Sequence, residues 1–279
     1  MGSQFQSNTT KPMLLNPALG LHSKVNSEQF SKLNNMLPLC EELLAGDTLA
    51  TLVAKTFDEA RIRKSYLTEL TRRTTSVPAR EEHRLERSIW VKWRPYRHVV
   101  KATGKLSSIN SGTRFLKVAP RIMTYQLPLF DSRKKGGWGH IDLLGISPQT
   151  TPVAIELKDD NSPEPPLRML TEVLAYGISI RKAWQNSETG SPGQLQKDWI
   201  RAVRDLGEDV KDIPANLANC HLVCAAPPEY WDCMQTDKRL KEHGWALFSR
   251  VVSRVEELGF TVHFAKVHVS AEEIVPRSA

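Results

Sequence analysis

The sequence contains no apolar run near the roughly 18 residues that a bilayer-spanning helix needs, so no membrane partner is expected. Residues 1–26 are rich in Ser, Asn and Gln and lack the apolar stretch of a secretory signal; they read as a disordered tail. Cysteine is scarce. Cys40, Cys220, Cys224 and Cys233 are too few to staple 279 residues, and their number fits a reducing, cytoplasmic compartment. They do not form a zinc pattern either: no second Cys-x-x-Cys or His-x-x-x-His pair accompanies Cys220, His221, Cys224 and Cys233. Buried apolar roles are expected for Cys220 and Cys224. Internal repeats are absent, which excludes a repeat array.

Acidic residues are locally short. Between residues 61 and 105, thirteen Lys or Arg stand against four Glu, an excess larger than the net +7 of the whole chain. A concentrated basic segment suits a phosphate backbone, although a solvated helical surface has the same composition. Arg84, Arg87, Lys92, Arg94 and Arg97 are the candidate nucleic-acid contacts there, joined by Lys134 and Lys135 in a later turn. Trp90, Trp93 and Tyr96 interleave with these cations. They suit core or helix-end packing first, with base stacking as the alternative.

The remaining composition, 40% hydrophobic and 25% charged, is that of a globular protein with a sizeable core. Residues 27–77 read as a helical region, broken at Gly46-Asp47 and continued by a basic helix from Asp58 to Arg73. A helix from about Ala79 to Trp93 follows. Strands are expected within Arg114–Leu129, then over Trp138–Ile146, Val153–Lys158, Cys220–Ala226 and Phe260–Val269. Helices are expected over Leu167–Trp184, Lys197–Leu206 and Asp237–Leu258. Such mixed elements predict an α/β fold: a central mixed sheet flanked by helices, with the N-terminal helical region before it.

Two strands carry the chemistry. Asp142 stands between Ile141 and Leu143, where an unpaired carboxylate is costly. Glu156 and Lys158, two apart, point to one face of the next strand. A short turn brings Asp142 and Glu156 side by side, and two converging carboxylates bind a hard cation through oxygen. Lys158 beside them can orient a water and balance developing charge. A structural Asp–Lys pair is the plainer alternative. His140 shares the face of Asp142, as a phosphate contact or an ordinary strand histidine. Arg168, Glu172 and Tyr176 recur every four residues on one helical face, either as an exposed ion pair or facing the acids. Glu82 and Glu86, also four apart, compete with Glu172 for the third side of the site. Asp159 and Asp160 read as strand-exit residues.

The string Gly139-His140-Ile141-Asp142-Leu143-Leu144, followed by Ile155-Glu156-Leu157-Lys158, resembles the PD-(D/E)xK nuclease superfamily, a restriction-endonuclease-like group. The resemblance covers roughly half the chain, from about Ala79 to Ala226. It implies an αβββαβ core and a nuclease domain over residues 78–279. It also implies Asp142 and Glu156 as ligands of Mg²⁺, with Mn²⁺ as a substitute, and Lys158 as the water-positioning cation. Glu82 or Glu86 matches the acid many members carry on the preceding helix. Glu172 and Tyr176 take the places of a Gln-x-x-x-Tyr pair, with Glu for Gln, and the Pro before the first Asp is missing. The activity implied is metal-dependent phosphodiester hydrolysis, on DNA more than RNA, in phage defence, restriction or repair, with a homodimer or partner proteins. A catalytically silent nucleic-acid-binding or assembly subunit on the same fold is the alternative, and a protein–protein interaction module is another.

Overall fold

The computed structural model of the chain describes residues 33–60, 62–71, 81–94, 115–129, 140–185, 191–206, 210–211, 213–217, 219–240 and 242–267. Five strands form one mixed sheet in chain order: β1 (Arg121–Pro128), β2 (His140–Ile146), β3 (Pro152–Leu157), β4 (Cys220–Ala226) and β5 (Phe260–Lys266). β1, β2 and β3 pair antiparallel, whereas β3–β4 and β4–β5 pair parallel. A parallel pair needs a long crossover. Helices α5 (Pro166–Trp184) and α6 (Gln194–Asp205) supply the first, and α7 (Pro228–Thr236) and α8 (Glu242–Glu257) the second. Burial on both faces explains why β3 reads Pro-Val-Ala-Ile-Glu-Leu, with every residue buried.

The two faces are covered unequally. Helix α4 (Glu81–Trp93) packs on β1 and β2, where Ile89 and Trp90 meet Tyr125, Leu143, Val153 and Ile155. On the opposite face α5 lies across β3 and β4. It comes close because residue 177 is glycine: a Cβ there would sit 2.4 Å from Leu222 Cδ2. Outside α5 stand the N-terminal helices α1 (Met36–Leu44), α2 (Thr48–Glu59) and α3 (Leu67–Leu70). Helix α1 packs on α8, α2 on α5 and α3 on α6. Their buried residues Met36, Leu39, Leu52 and Leu70 belong to the same core as Leu174 and Leu222.

Several elements differ from the sequence expectation. The basic helix expected over residues 58–73 is not one element. Helix α2 ends at Glu59, and the described residues between it and α3, 60 and 62–66, are not helical. Asp198 from α6 takes the place of a helical partner there, accepting the Tyr66 N–H at 2.7 Å and the Ser65 hydroxyl at 3.0 Å. Arg63 Nη1 donates to the Pro128 carbonyl at 3.0 Å and fastens this segment to β1. The long helix expected over Asp237–Leu258 is α8 alone: Asp237–Leu240 form a turn before it, and α7, over Pro228–Thr236, is a helix the sequence does not predict. Proline at a first helical position is favourable, since its missing N–H has no intrahelical partner to lose. Arg239 closes on Asp237, Nε to Oδ1 at 2.8 Å, and holds the turn. Among the described residues of the stretch expected over 114–129, only Arg121–Pro128 form a strand; Phe115 and Leu116 fold back onto Pro120 and Ala119.

Candidate active site

Strand register brings the motif residues together. Leu143 pairs with Ile155, so Asp142 and Glu156 come opposite each other one step further along. Asp142 is 7% exposed and Glu156 2%. Asp142 Oδ2 accepts the Leu157 N–H at 3.0 Å, which fixes its rotamer against β3. The Lys158 N–H donates to the Ala225 carbonyl at 3.0 Å, so the residue leaving β3 is still held by β4.

Helix α5 closes the site from above. Arg168, Glu172 and Tyr176 line one cleft of about 420 Å³ together with Asp142, Glu156 and Lys158. The i, i+4, i+8 face of α5 therefore looks at the acids rather than at solvent. Glu172 Oε1 accepts from Arg168 Nη2 at 2.7 Å. Its other oxygen accepts from Lys158 Nζ at 3.1 Å. Lys158 Nζ also donates to Glu156 Oε1 at 2.7 Å and stands 2.7 Å from Glu164 Oε2. Glu164 comes from the loop between β3 and α5, which Tyr230 supports by donating its hydroxyl to the Glu164 carbonyl at 2.8 Å.

The electrostatics are unbalanced. Five carboxylates (Asp142, Glu156, Asp159, Glu164, Glu172) line the cleft against Lys158 and Arg168, with His83 and His140 at its wall. Burial pushes Glu156 well above the usual carboxylate range, and the Asp142 charge adds to that. Burial works against the charge on Lys158 too, but Glu156, Glu172 and Glu164 outweigh it and hold the ammonium well above the usual lysine range. For Glu172 the opposing burial is overcome by Lys158 and Arg168, which keep its carboxyl low. Burial, reinforced by Glu156 and Glu172, keeps the Tyr176 phenol protonated. One oxygen of this network, Glu156 Oε2, is buried with no N–H donor on it; the Glu172 carboxyl is the neighbour of the Glu156 group.

That oxygen and the Asp142 carboxylate suit a hard divalent cation. Mg²⁺ is bound by one or two carboxylates and keeps several waters. No group of three His, Cys, Asp or Glu stands ready to enclose an ion among the described residues. Two acids open to a cleft fit an ion that shares its shell with water and substrate.

Of the other candidate residues, Glu86 is fully buried and meets the site through Gln126, whose Nε2 donates to Glu86 Oε2 at 2.7 Å and reaches Asp142 Oδ1 at 3.4 Å. The Glu82 side chain lies outside the described residues. Arg84 and Lys92 are exposed on α4, and Arg87 and Arg94 are half-buried. Arg94 stacks over the Trp90 ring at 5.2 Å. Arg97, Lys134, Lys135 and Tyr96 lie outside the described residues. The stacking role considered for Trp90 is corrected: the ring is fully buried against Tyr125, and its Nε1 donates to the Met123 carbonyl at 3.0 Å. Trp93 is half-buried against Phe115. Cys220 and Cys224 are buried on β4, and burial pushes the Cys220 thiol up to about 12. His221 pairs across strands with His263, Nδ1 to Nε2 at 3.1 Å.

Sequence reasoning missed Gln126 and Glu164. Gln126 is signalled only as an amide inside the apolar run Ile122–Leu127, and Glu164 only as an acid within a Pro-rich connector. Comparison of the chain with protein-family models, with curated proteins and with solved structures finds no match.

Proposed function

We propose that the cleft is the active site of a metal-dependent nuclease that hydrolyses phosphodiester bonds in nucleic acid, DNA in preference to RNA. The observation that carries this reading is the buried Glu156 carboxyl opposite Asp142, with Lys158 on the same strand face. Five carboxylates against two cations in a low-dielectric cleft are costly, and a divalent cation relieves that cost. The order of helix, three antiparallel strands, helix and parallel strand supports a restriction-endonuclease-like core. The net charge of +7 supports a polyanionic partner.

Asp142 and Glu156 would hold Mg²⁺ or Mn²⁺, with Glu86 aimed into the same region through Gln126. When bound, the ion would lower the pKa of a water and offset charge on the phosphate. Lys158 stays protonated under the pull of its acidic neighbours and would orient the attacking water. Arg168 keeps Glu172 ionised, and Glu172 keeps Lys158 in place. Tyr176 lines the same cleft with its phenol protonated. Arg84 and Lys92, exposed on α4, supply sequence-independent backbone contact. A homodimer or partner proteins, and a cytoplasmic setting, accompany this reading.

A second reading, a catalytically silent nucleic-acid-binding or assembly subunit, is favoured by one observation. Lys158 has three donor hydrogens, and Glu156, Glu164 and Glu172 engage all of them. The experiment is incubation of plasmid DNA, linear DNA and RNA with Mg²⁺ or Mn²⁺, comparing wild type with Asp142→Asn and Glu156→Gln, each checked for folding by circular dichroism. Cleavage by wild type that both substitutions abolish supports the nuclease. Equal survival of every substrate with all three proteins defeats it in favour of the silent subunit.

A further inference from the structure

Gln126 sits in the middle of β1 with φ +49°, in the left-handed region that costs a non-glycine residue about 1 kcal/mol or more. Alternation breaks here in β1, as it does opposite in β2, where Ile141 and Leu143 also pack on different sides. Tyr125 and Leu127, two apart, should share a face, yet Tyr125 packs on the α4 side of the sheet and Leu127 on the α5 side. Pairing of Tyr125 with Leu143 and of Leu127 with Ile141 places Gln126 opposite Asp142. At that point its Nε2 donates to Glu86 Oε2 at 2.7 Å and reaches Asp142 Oδ1 at 3.4 Å.

Glycine or asparagine would take this φ at lower cost, but neither carries an amide long enough to reach both acids. We infer that Gln126 is a positioning residue of the candidate metal site: its amide ties Glu86 of α4 to Asp142 of β2, and the strained backbone aims that amide. The inference rests on the divalent-cation reading above. A neutral donor shared by two carboxylates reduces their repulsion without competing as a charge. It thereby sets the spacing of the acids before an ion arrives, as outer-shell partners do for metal ligands.

The test is a Mn²⁺ titration of the full chain by calorimetry, with thermal unfolding measured in parallel. Gln126→Met keeps the bulk and the strained backbone but removes the donor; Gln126→Gly removes both donor and strain. The expected result is a loss of about tenfold in Mn²⁺ affinity for both variants, with Gln126→Gly unfolding at no lower temperature than Gln126→Met. Saturable Mn²⁺ binding by wild type with Gln126→Met within twofold of it overturns the inference and leaves the metal site standing. Fully additive losses for Glu86→Gln and Gln126→Met in the double variant also overturn it. Absence of saturable binding by wild type overturns the cation reading itself, and this inference with it.

Discussion

Lys158 Nζ lies 2.7 Å from Glu156 Oε1, across the end of β3, in a charged network that is buried except at Glu164. Removing one charge should cost according to how deeply its partners are buried. Glu172→Gln leaves Arg168, 1% exposed, and Lys158, 6% exposed, short of a carboxylate. About 3 kcal/mol of stability is expected to be lost, in the range for a broken buried pair. Glu164 keeps 28% of its side chain exposed, and Glu164→Gln should cost at most about 1 kcal/mol. Urea denaturation of both variants measures the contrast; equal losses would show that the loop carboxylate is as structural as the helical one.

Glu156 predicts a pH dependence of the opposite sign to most carboxylates. Its folded pKa is raised above the ordinary 4.5, by burial first and by Asp142 next. A group raised on folding contributes stability that is present below its unfolded pKa and lost as pH climbs through the folded one. The metal-free protein should therefore lose stability as pH rises above about 4.5, and Glu156→Gln should flatten that decline. Glu172, whose carboxyl is held low by Lys158 and Arg168, acts in the other window and destabilises as pH falls below 4.5. Melting temperatures of wild type and Glu156→Gln across pH 4 to 9, in chelator, decide the point. Mn²⁺ should restore most where the decline is deepest, because the ion and the proton compete for the same carboxylates.

Much of this site is legible in the sequence. Asp142, Glu156 and Lys158 announce themselves as charges inside apolar strands, and period-2 alternation is enough to put Glu156 and Lys158 on one side. Period four on α5 likewise foretells that Glu172 and Tyr176 act together, though whether that face meets solvent or sheet depends on Gly177 and Leu222, a tertiary contact. Glu164 and Gln126 are not legible. The first depends on the path of an irregular loop, the second on a local break in strand alternation that no periodicity encodes. Helix α7 after β4 is not legible for a related reason. The Pro227-Pro228 pair ends a strand and starts a helix at once, and the sequence pattern shows only the ending.

Trp90 offers a separation between fold and nucleic-acid contact. The indole is fully buried, packed against Tyr125 at 5.3 Å between ring centres, and its N–H is satisfied by Met123. Trp90→Phe should cost about 1–3 kcal/mol through the orphaned Met123 carbonyl and the lost volume, and should leave affinity for a salt-sensitive DNA probe unchanged in the folded protein. Arg84→Ala and Lys92→Ala, both exposed on the same helix, should do the reverse: stability within about 0.5 kcal/mol of wild type, and a shallower dependence of DNA affinity on salt. Fluorescence anisotropy at several salt concentrations, beside urea denaturation, separates the two classes. A Trp90→Phe protein that folds normally and loses DNA binding would contradict the buried packing role.

Gly177 sets two effects against each other. In a helix interior Gly→Ala gains about 1 kcal/mol of helical propensity. Here the added Cβ would stand 2.4 Å from Leu222 Cδ2 and 3.3 Å from the Phe260 ring, both buried within the sheet–helix core. Overpacking of that kind costs about 1–3 kcal/mol, and Leu222 has no solvent side into which to turn. The packing cost should win, so Gly177→Ala is expected to be destabilising by about 1 kcal/mol, and Gly177→Val by more. Relief requires α5 to lift from β4, which would carry Glu172 and Tyr176 away from Glu156 and Lys158. The variant should therefore also weaken Mn²⁺ binding, although residue 177 touches none of the acids. Calorimetric titration of Gly177→Ala, checked against its urea midpoint, measures both. A protein as stable as wild type would show that Leu222 repacks in place, and unchanged Mn²⁺ affinity would show that the height of α5 above the sheet does not set the geometry of the acids.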